Sequence, residues 1–351
     1  MCTGKQERVV PRMDRNEQHC RIGGPWEGLN LFLRYLPPTV QQPGAPNVVL
    51  YVHGATFPSA LSIAHRFDGR SWRDELADAG FHVWGLDFHG FGASDRYPQM
   101  AEPADAHPAL CRAEDASRQI ECAVRFIRER HDLQRISLIA HSWGTIATGV
   151  FATRCPDLVE RLVFFGPITR RESNAQAPAL PAWRCISLED QWRRFVEDVP
   201  AHEAAVLNKR HFEDWGARYL DSDPECSMRS PLSVKVPNGP SQDIAAAWSG
   251  DLAYDPGRIQ APVAIVRGEW DSVVTDTDAR WLFNVLQASP MKRDVKIGRA
   301  THLMHLEENR HSLYWETLCF LQAPLSSRAE RGISANEGRD SSPSARNDNG
   351  H

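Results

Sequence analysis

A serine that directly follows an apolar strand is the feature that most constrains the fold of this chain. Residues 136–141 read Ile-Ser-Leu-Ile-Ala-His, Ser142 follows, and residues 145–152 have the composition of a helix. A chain that reverses from strand to helix within about one turn holds such a serine in a strained backbone conformation. The close approach of strand and helix requires small residues on both sides of the serine, and Ala140 and Gly144 meet that requirement. The segment indicates a nucleophile elbow, with an ordinary serine-capped turn as the alternative.

An upstream loop offers hydrogen-bond donors for such a serine. Residues 47–52 predict a buried strand, which runs into the sequence His-Gly-Ala-Thr at 53–56. A serine that attacks a carbonyl needs donors aimed at the oxyanion that forms, and backbone N–H groups are suited because their direction is fixed. We expect one donor at Trp143 and the other at Ala55, with Thr56 as the alternative. In isolation, the loop would also fit a simple turn at a strand end.

The next predicted strand, at residues 81–87, ends in a glycine-rich loop. The pattern D-x-x-G-x-G-x-S covers residues 87–94. The glycines allow a tight loop, and Asp87 is suited to cap backbone N–H groups. We expect this segment to be architectural and do not assign Asp87 to catalysis.

Two later strands are each followed by a side chain that suits acid–base chemistry. Residues 262–268 predict a buried strand with Asp271 just beyond it, and residues 294–297 predict a last strand with His302 in the following loop. The carboxyl ends of parallel strands meet at one edge of a sheet, so Ser142, Asp271 and His302 can converge there from distant parts of the chain.

Taken in order, the motifs HGATFP, DFHGFGAS, AHSWG, GEWD and THLMHLE resemble those of α/β-hydrolases, over roughly residues 28–322. The resemblance implies an α/β fold with a mostly parallel central sheet flanked by helices, and a helical cap inserted after the sixth strand. It implies that Ser142 is the nucleophile, His302 the general base and Asp271 the acid that orients the base. Nothing in the sequence indicates a cofactor, and the expected chemistry needs no metal. A serine at the elbow argues against haloalkane dehalogenase or epoxide hydrolase chemistry, because those relatives carry aspartate there.

Other residues compete for these roles. His305 lies near His302, but the family places a glutamate five residues after the catalytic histidine, and Glu307 fits that spacing only for His302. Asp276 and Asp278 fall where a helix should begin, so we interpret them as capping or first-turn carboxylates.

Further positions near the elbow suit structural roles. His53 and His141 are expected to be structural imidazoles bonded to backbone. The strand at 162–165 ends without a carboxylate, which favours Asp271 as the acid. Thr301 occupies a position where the family commonly has glycine.

Composition and spacing divide the chain into five parts. The predicted parts are a flexible N-terminal arm at 1–25, a first core part at 26–167, a cap insertion at 168–261, a second core part at 262–322 and a disordered tail at 323–351. Within the insertion, mixed charges are interpreted as the solvated face of helices; the residues are Glu189, Asp190, Arg193, Arg194, Glu197, Asp198, Arg210, Glu213 and Asp214.

The overall charge and the cysteine pattern exclude several classes of protein. A net charge of −5 and an isoelectric point near 6.3 give no reason to expect binding to nucleic acid or to an anionic membrane. The eight cysteines are scattered without a C-x-x-C pair, as expected of reduced cysteines in a cytoplasmic protein. No apolar run approaches the ~20 residues of a membrane span, and the N-terminus lacks the apolar segment of a secretion signal. The expected partner is a small-molecule substrate, and the sequence defines no oligomeric state.

The favoured function is hydrolysis of a carboxylic ester with a small to medium, partly apolar substrate. An aminopeptidase of the proline-iminopeptidase kind is an alternative, since the chain also resembles those enzymes through Ser-Trp-Gly at 142–144. The loop at 53–58 lacks their HGGPG-like glycines, which argues against it. An acyltransferase uses the same three side chains. A non-catalytic, hydrolase-like ligand receptor would not need all three.

Overall fold

The computed structural model describes residues 10–41, 43–173 and 176–324. The chain divides into two compact units, residues 1–321 and residues 322–351. Of the second unit only residues 322–324 are described. The predicted disordered tail at 323–351 therefore lies, from residue 325 onward, outside the described residues.

Strands and helices alternate along most of the described chain. The strands are β1 Gln18–Gly23, β2 Asn30–Leu36, β3 Asn47–Val52, β4 Phe81–Asp87, β5 Ile136–His141, β6 Val159–Phe165, β7 Trp183–Ser187, β8 Ser233–Pro237, β9 Val263–Gly268 and β10 Lys292–Ile297. The helices are α1 Trp72–Asp78, α2 Ala113–His131, α3 Gly144–Arg154, α4 Leu188–Val196, α5 Lys209–Asp221, α6 Gly239–Trp248, α7 Asp276–Val285 and α8 Arg310–Gln322.

Eight of these strands form one sheet in the order β1-β2-β4-β3-β5-β6-β9-β10. In this order, every pair from β4–β3 to β9–β10 is parallel. At one end of the sheet, β1–β2 and β2–β4 are antiparallel. This mostly parallel sheet confirms the predicted fold class. It also brings the carboxyl ends of β5 and β9, which precede Ser142 and Asp271, to the same edge.

The central strands are apolar on both faces because helices cover both. On β3, Leu50 and Val52 belong to one core cluster, together with α2 and α3. Their neighbours Val49 and Tyr51 belong to the opposite cluster, together with α1 and α8. Successive side chains of a strand point to opposite faces, so a continuous apolar run is expected for a strand buried on both sides.

The N-terminal segment differs from the predicted loose arm. Residues 18–23 form β1, the edge strand of the main sheet. Just before it, the buried Glu17 carboxylate accepts hydrogen bonds from Arg34 at 2.6 Å and Arg73 at 2.5 Å. Burial alone would raise the pKa of Glu17, but the hydrogen bond from His19 and the charges of the two arginines lower it to about 2. Polar ion pairing, which leaves no apolar pattern in the sequence, attaches this segment to the core.

The chain between β6 and β9 is an insertion that contains α4, α5 and α6. It also contains β7 and β8, which pair antiparallel in a separate two-stranded sheet. The insertion, which the sequence predicts as helical, therefore contains a two-stranded sheet in addition to its helices. No helix among the described residues is long and apolar enough to cross a membrane.

Candidate active site

Ser142 lies at the sharp turn between β5 and α3. Its φ is +54°, in the left-handed region that non-glycine residues rarely adopt. Its backbone N–H donates to the Phe165 carbonyl at 2.9 Å, which ties the turn to the neighbouring strand β6. A Cβ atom at Gly144 would lie 2.5 Å from the His53 carbonyl oxygen, so only glycine fits there. This is the strained turn that the sequence predicts.

Three side chains form a continuous hydrogen-bonded series at this edge of the sheet. The Ser142 Oγ and His302 Nε2 atoms are 2.8 Å apart, and His302 Nδ1 and Asp271 Oδ2 are 2.9 Å apart. In the tautomer that satisfies both contacts, Nδ1–H donates to Asp271 and the serine hydroxyl donates to Nε2. The other Asp271 oxygen accepts from the backbone N–H groups of Val273 at 2.9 Å and Val274 at 3.1 Å. All three side chains are buried, and the aspartate is held in one orientation.

Close backbone contact between two loops brings the acid and the histidine together. The loop after β9 carries Asp271, and the loop after β10 carries His302. The Trp270 N–H donates to the Ala300 carbonyl at 2.9 Å, which joins the two loops. A Cβ atom at Gly268 would lie 2.2 Å from the Ala300 oxygen, so the glycine permits this approach.

Hydrogen bonds between Thr301 and Glu307 fix the loop that carries His302. The Glu307 carboxylate accepts the Thr301 backbone N–H at 3.0 Å and also the Thr301 hydroxyl. The threonine Oγ1 in turn accepts the Leu303 N–H at 3.2 Å. The Thr301 side chain therefore makes two hydrogen bonds that glycine, the common family residue at this position, could not make. Burial raises the pKa of Glu307 to about 7.

This buried carboxyl predicts a measurable pH dependence. In the folded protein the pKa of Glu307 is raised from 4.5 to about 7. The free energy that Glu307 contributes to folding is therefore fully present below pH 4.5 and is lost as pH rises through 7. The loss corresponds to about 3 kcal/mol over that window. Glu307→Gln keeps both contacts, with its carbonyl accepting from the Thr301 N–H and its amide donating to the hydroxyl, but does not titrate. We expect the wild-type Tm to fall relative to that of the variant between pH 5 and pH 8.

The exposed neighbour Glu308 provides the matched control, since Glu308→Gln removes the same charge at the surface. A Tm difference between wild type and Glu307→Gln that stays constant from pH 5 to pH 8 would contradict the assignment of the titration to Glu307.

The competing residues occupy other positions. His305 is buried against the His141 ring, with centroids 4.7 Å apart, and burial lowers its pKa to about 3. The Asp278 carboxylate caps α7 by accepting the Thr275 N–H at 2.9 Å. Asp276 pairs with Arg267 and Lys296 on the protein surface. The helix-start interpretation of the two aspartates is confirmed.

The two other histidines near the elbow bond to backbone, as predicted. The His53 ring contacts the Gly54 carbonyl at 2.7 Å through Nδ1, and its Nε2 accepts the Phe88 N–H at 3.1 Å. His141 Nε2 lies 3.1 Å from the His302 carbonyl. Burial lowers the pKa of both rings, which favours their neutral forms. Both rings serve to position the backbone that they contact.

Asp87 has the predicted architectural role. Its carboxylate accepts the backbone N–H groups of Ser59 at 3.0 Å and of Ala93 at 3.1 Å. These contacts hold the loop after β4 against the segment after β3.

The Ser142 hydroxyl opens into a cavity of about 390 Å³. The core contributes Ser142 and His302 together with the loop that holds Ala55 and Thr56. The insertion contributes a further part of the wall, formed by Arg184, Cys185, Ile186, Asp190, Gln191, Arg194, Ser241 and Ile244. The wall thus combines aliphatic side chains with charged and amide groups.

The second predicted oxyanion donor, Trp143, is connected to the insertion through its side chain. The fully buried indole donates from Nε1 to the Asp243 carboxylate on α6 at 2.9 Å. The same carboxylate accepts the Ala113 N–H at 2.6 Å and pairs with Arg112 at the start of α2. A single carboxylate therefore joins α6, the start of α2 and the residue that follows the serine.

Charge patterning does not indicate that several residues of α4 and β7 line this cavity. It predicts a solvated helix face for Arg194 and Asp190 and assigns no role to Arg184. One signal was present in α4: Gln191 precedes Phe195 by one helical turn, and both side chains are buried. A polar residue within an apolar stripe indicates a buried polar contact. Within the described ranges, no group of histidine, cysteine and acidic side chains is arranged to hold a metal ion.

The sheet order, the serine at the end of β5 and the insertion before β9 define an α/β-hydrolase enzyme. Residues 47–309 match the model of the family described as serine aminopeptidase, S33, and the chain belongs to this family. The chain matches none of the curated proteins with which it was compared.

Several solved structures share the fold. A complex of DcsB with its substrate analogue has a TM-score of 0.57 and 14% identity, covering 89% of this chain and all of that one. A laboratory-evolved potato epoxide hydrolase has a TM-score of 0.56 and 14% identity, covering 87% and 99%. The enol-lactonase from Burkholderia xenovorans has a TM-score of 0.52 and 16% identity, covering 85% and 98%. At these identities the likeness concerns the fold alone.

Proposed function

We propose that this hydrolase cleaves a carboxylic ester of a small to medium, partly apolar substrate, with Ser142 as the nucleophile. The observation that carries the proposal is the hydrogen-bonded series from Ser142 through His302 to Asp271, open to a cavity on the serine side. A serine hydroxyl is a weak nucleophile near neutral pH and needs an adjacent base.

The first half of the reaction forms an acyl-enzyme. His302 Nε2 takes the hydroxyl proton as Ser142 Oγ bonds to the carbonyl carbon. Asp271 stabilises the resulting imidazolium and keeps its Nδ1–H directed inward. The tetrahedral intermediate then collapses, the bond to the alcohol oxygen breaks, and the leaving alcohol takes the proton from Nε2.

The second half returns the enzyme to its starting state. His302 removes a proton from water as the water oxygen attacks the acyl carbon, and Ser142 regains its proton when the acid leaves. In both halves the backbone N–H groups of Ala55 and Trp143 are proposed to stabilise the oxyanion. The position of Ala55 on the cavity wall supports this role.

We propose further that the insertion at 168–261 acts as the cap of the site. Its residues line the cavity into which Ser142 opens, which supports a role in limiting access of water and shaping the substrate pocket. Acyl transfer to an alcohol would follow the same first half, with the alcohol in place of water.

The charges of the cavity favour an ester over a peptide with a free amino terminus. An aminopeptidase needs carboxylates to bind the ammonium group, and Asp190 is the acidic side chain among the residues that line this cavity. Its carboxylate already accepts the Ser187 N–H at 3.1 Å and the Ser187 hydroxyl at 2.7 Å at the start of α4. Arg184 and Arg194 on the same wall would repel an ammonium group.

A comparison of two activated substrates tests this choice. We expect 4-nitrophenyl butanoate to be hydrolysed with a kcat/KM at least about 100-fold above that of proline 4-nitroanilide, because an activated ester is more reactive than an anilide and the cationic wall disfavours the ammonium group. Both reactions are followed by the released chromophore. Faster cleavage of the proline amide would show an aminopeptidase instead. Binding of ester without turnover or acylation would show a ligand receptor.

A further inference from the structure

Arg184 on β7 is a charged residue in the cavity without a direct partner. It lines the same cavity as Ser142. Within the ranges 10–41, 43–173 and 176–324, its guanidinium makes no hydrogen bond or ion pair, although Asp190 lies within electrostatic range. The residue is exposed, and the protein around it lowers the pKa of the guanidinium. A guanidinium that borders a cavity and has no protein partner is available to bind an anion.

The charges beside Arg184 are already engaged elsewhere. Asp190 accepts the Ser187 N–H and hydroxyl, and also contacts Arg193 on the outer surface. Arg194 pairs with Glu197 at 2.6 Å. The cavity wall thus holds two guanidinium groups and one carboxylate, and the guanidinium of Arg184 is the one available to a ligand.

We propose that the substrate carries a carboxylate away from the ester bond, and that Arg184 binds this carboxylate while Ser142 attacks the ester. A carboxylate matches the planar fork of a guanidinium. The apolar part of the wall, Ile186, Ile244 and Leu303, suits an aliphatic spacer between the two groups. The inference rests on the proposed ester hydrolysis and specifies its substrate class.

Two matched substrate pairs test the proposal and locate the carboxylate. The acyl-side pair is the 4-nitrophenyl monoester of glutaric acid and 4-nitrophenyl 5-methylhexanoate, which have the same leaving group and nearly the same shape. The alcohol-side pair is the butanoate esters of 4-hydroxybutanoate and of pentan-1-ol, followed by acid release. We expect the enzyme to prefer the anionic member of one pair by at least about tenfold in kcat/KM, mainly through KM. Added salt should reduce the preference.

The variant Arg184→Gln should lose about tenfold on the anionic ester and change the neutral ester less than about twofold. Arg184→Lys keeps the charge without the fork and should recover part of the loss. Arg210→Gln is the matched control, because it removes the same charge from an exposed position on α5 of the same insertion. It should leave both substrates unchanged.

The outcomes separate this inference from the proposed function. Equal or faster hydrolysis of the neutral member in both pairs, or an unchanged preference in Arg184→Gln, would overturn the carboxylate site while leaving the ester hydrolase intact. Failure of the folded enzyme to hydrolyse any of the four esters would refute the proposed function. Calorimetric binding of glutarate to Ser142→Ala, lost on adding Arg184→Gln, measures the site without turnover.

Discussion

Replacing Ser142 by alanine is expected to lower the kcat of ester hydrolysis by about four to six orders of magnitude, while the protein remains folded. The variant has no hydroxyl to form the acyl-enzyme, and His302 Nε2 loses its 2.8 Å contact. The direct measurement is reaction with a fluorophosphonate followed by intact mass. The parent protein should gain a single adduct, and Ser142→Ala should gain none.

Another serine on the cavity wall gives a matched control. Ser241 lines the same cavity, so Ser241→Ala removes a hydroxyl exposed to the same reagent. It should keep both labelling and turnover. His302→Ala retains the nucleophile but lacks its base, so labelling should be strongly slowed. A Ser142→Ala protein that still hydrolyses esters would disprove the assignment of the nucleophile.

The largest effect on stability is expected for Glu17→Ala. Removal of this carboxylate leaves Arg34, 5% exposed, and Arg73, 2% exposed, as buried charges without their shared counter-ion. Breaking a buried ion pair from one side costs about 3–5 kcal/mol. Urea unfolding followed by tryptophan fluorescence should show a corresponding fall in the free energy of unfolding.

Two further measurements define the role of Glu17. Glu27→Ala removes an exposed carboxylate nearby and should be nearly neutral. Because the pKa of Glu17 is lowered from 4.5 to about 2 in the folded protein, its contribution is complete above pH 4.5 and is lost as pH falls through 2. The stability gap between wild type and Glu17→Ala should therefore narrow in acid. Equal stability of the two proteins near neutral pH would show that the ion pairs contribute nothing net.

The reaction side of the sheet could be predicted because each of its parts has a local signal. Small residues around Ser142, polar residues at strand ends and a capping box before α7 are all readable within a few positions. The convergence of Ser142, Asp271 and His302 at one edge then follows from the parallel sheet. The oxyanion roles of Ala55 and Trp143 stay predictions.

What could not be predicted depends on partners distant in sequence. β1 carries few apolar residues and pairs only along one edge, and Glu17 finds Arg73 more than fifty positions away. The cavity wall depends on how α4 and β7 turn toward the core, which charge patterning does not reveal. Arg184 and Arg194 therefore look like surface residues in the sequence.

The contact between Asp243 and Trp143 has a consequence for how this enzyme can diversify. If α6 moved outward, the buried Asp243 carboxylate would lose its contacts with the Trp143 indole, the Ala113 N–H and Arg112. Substrate entry is therefore expected to involve β7 and α4, which carry Arg184 and Gln191, while α6 stays docked. Selection for new substrates has freedom in those two elements, whereas α6 is constrained by its contact with the residue that follows Ser142.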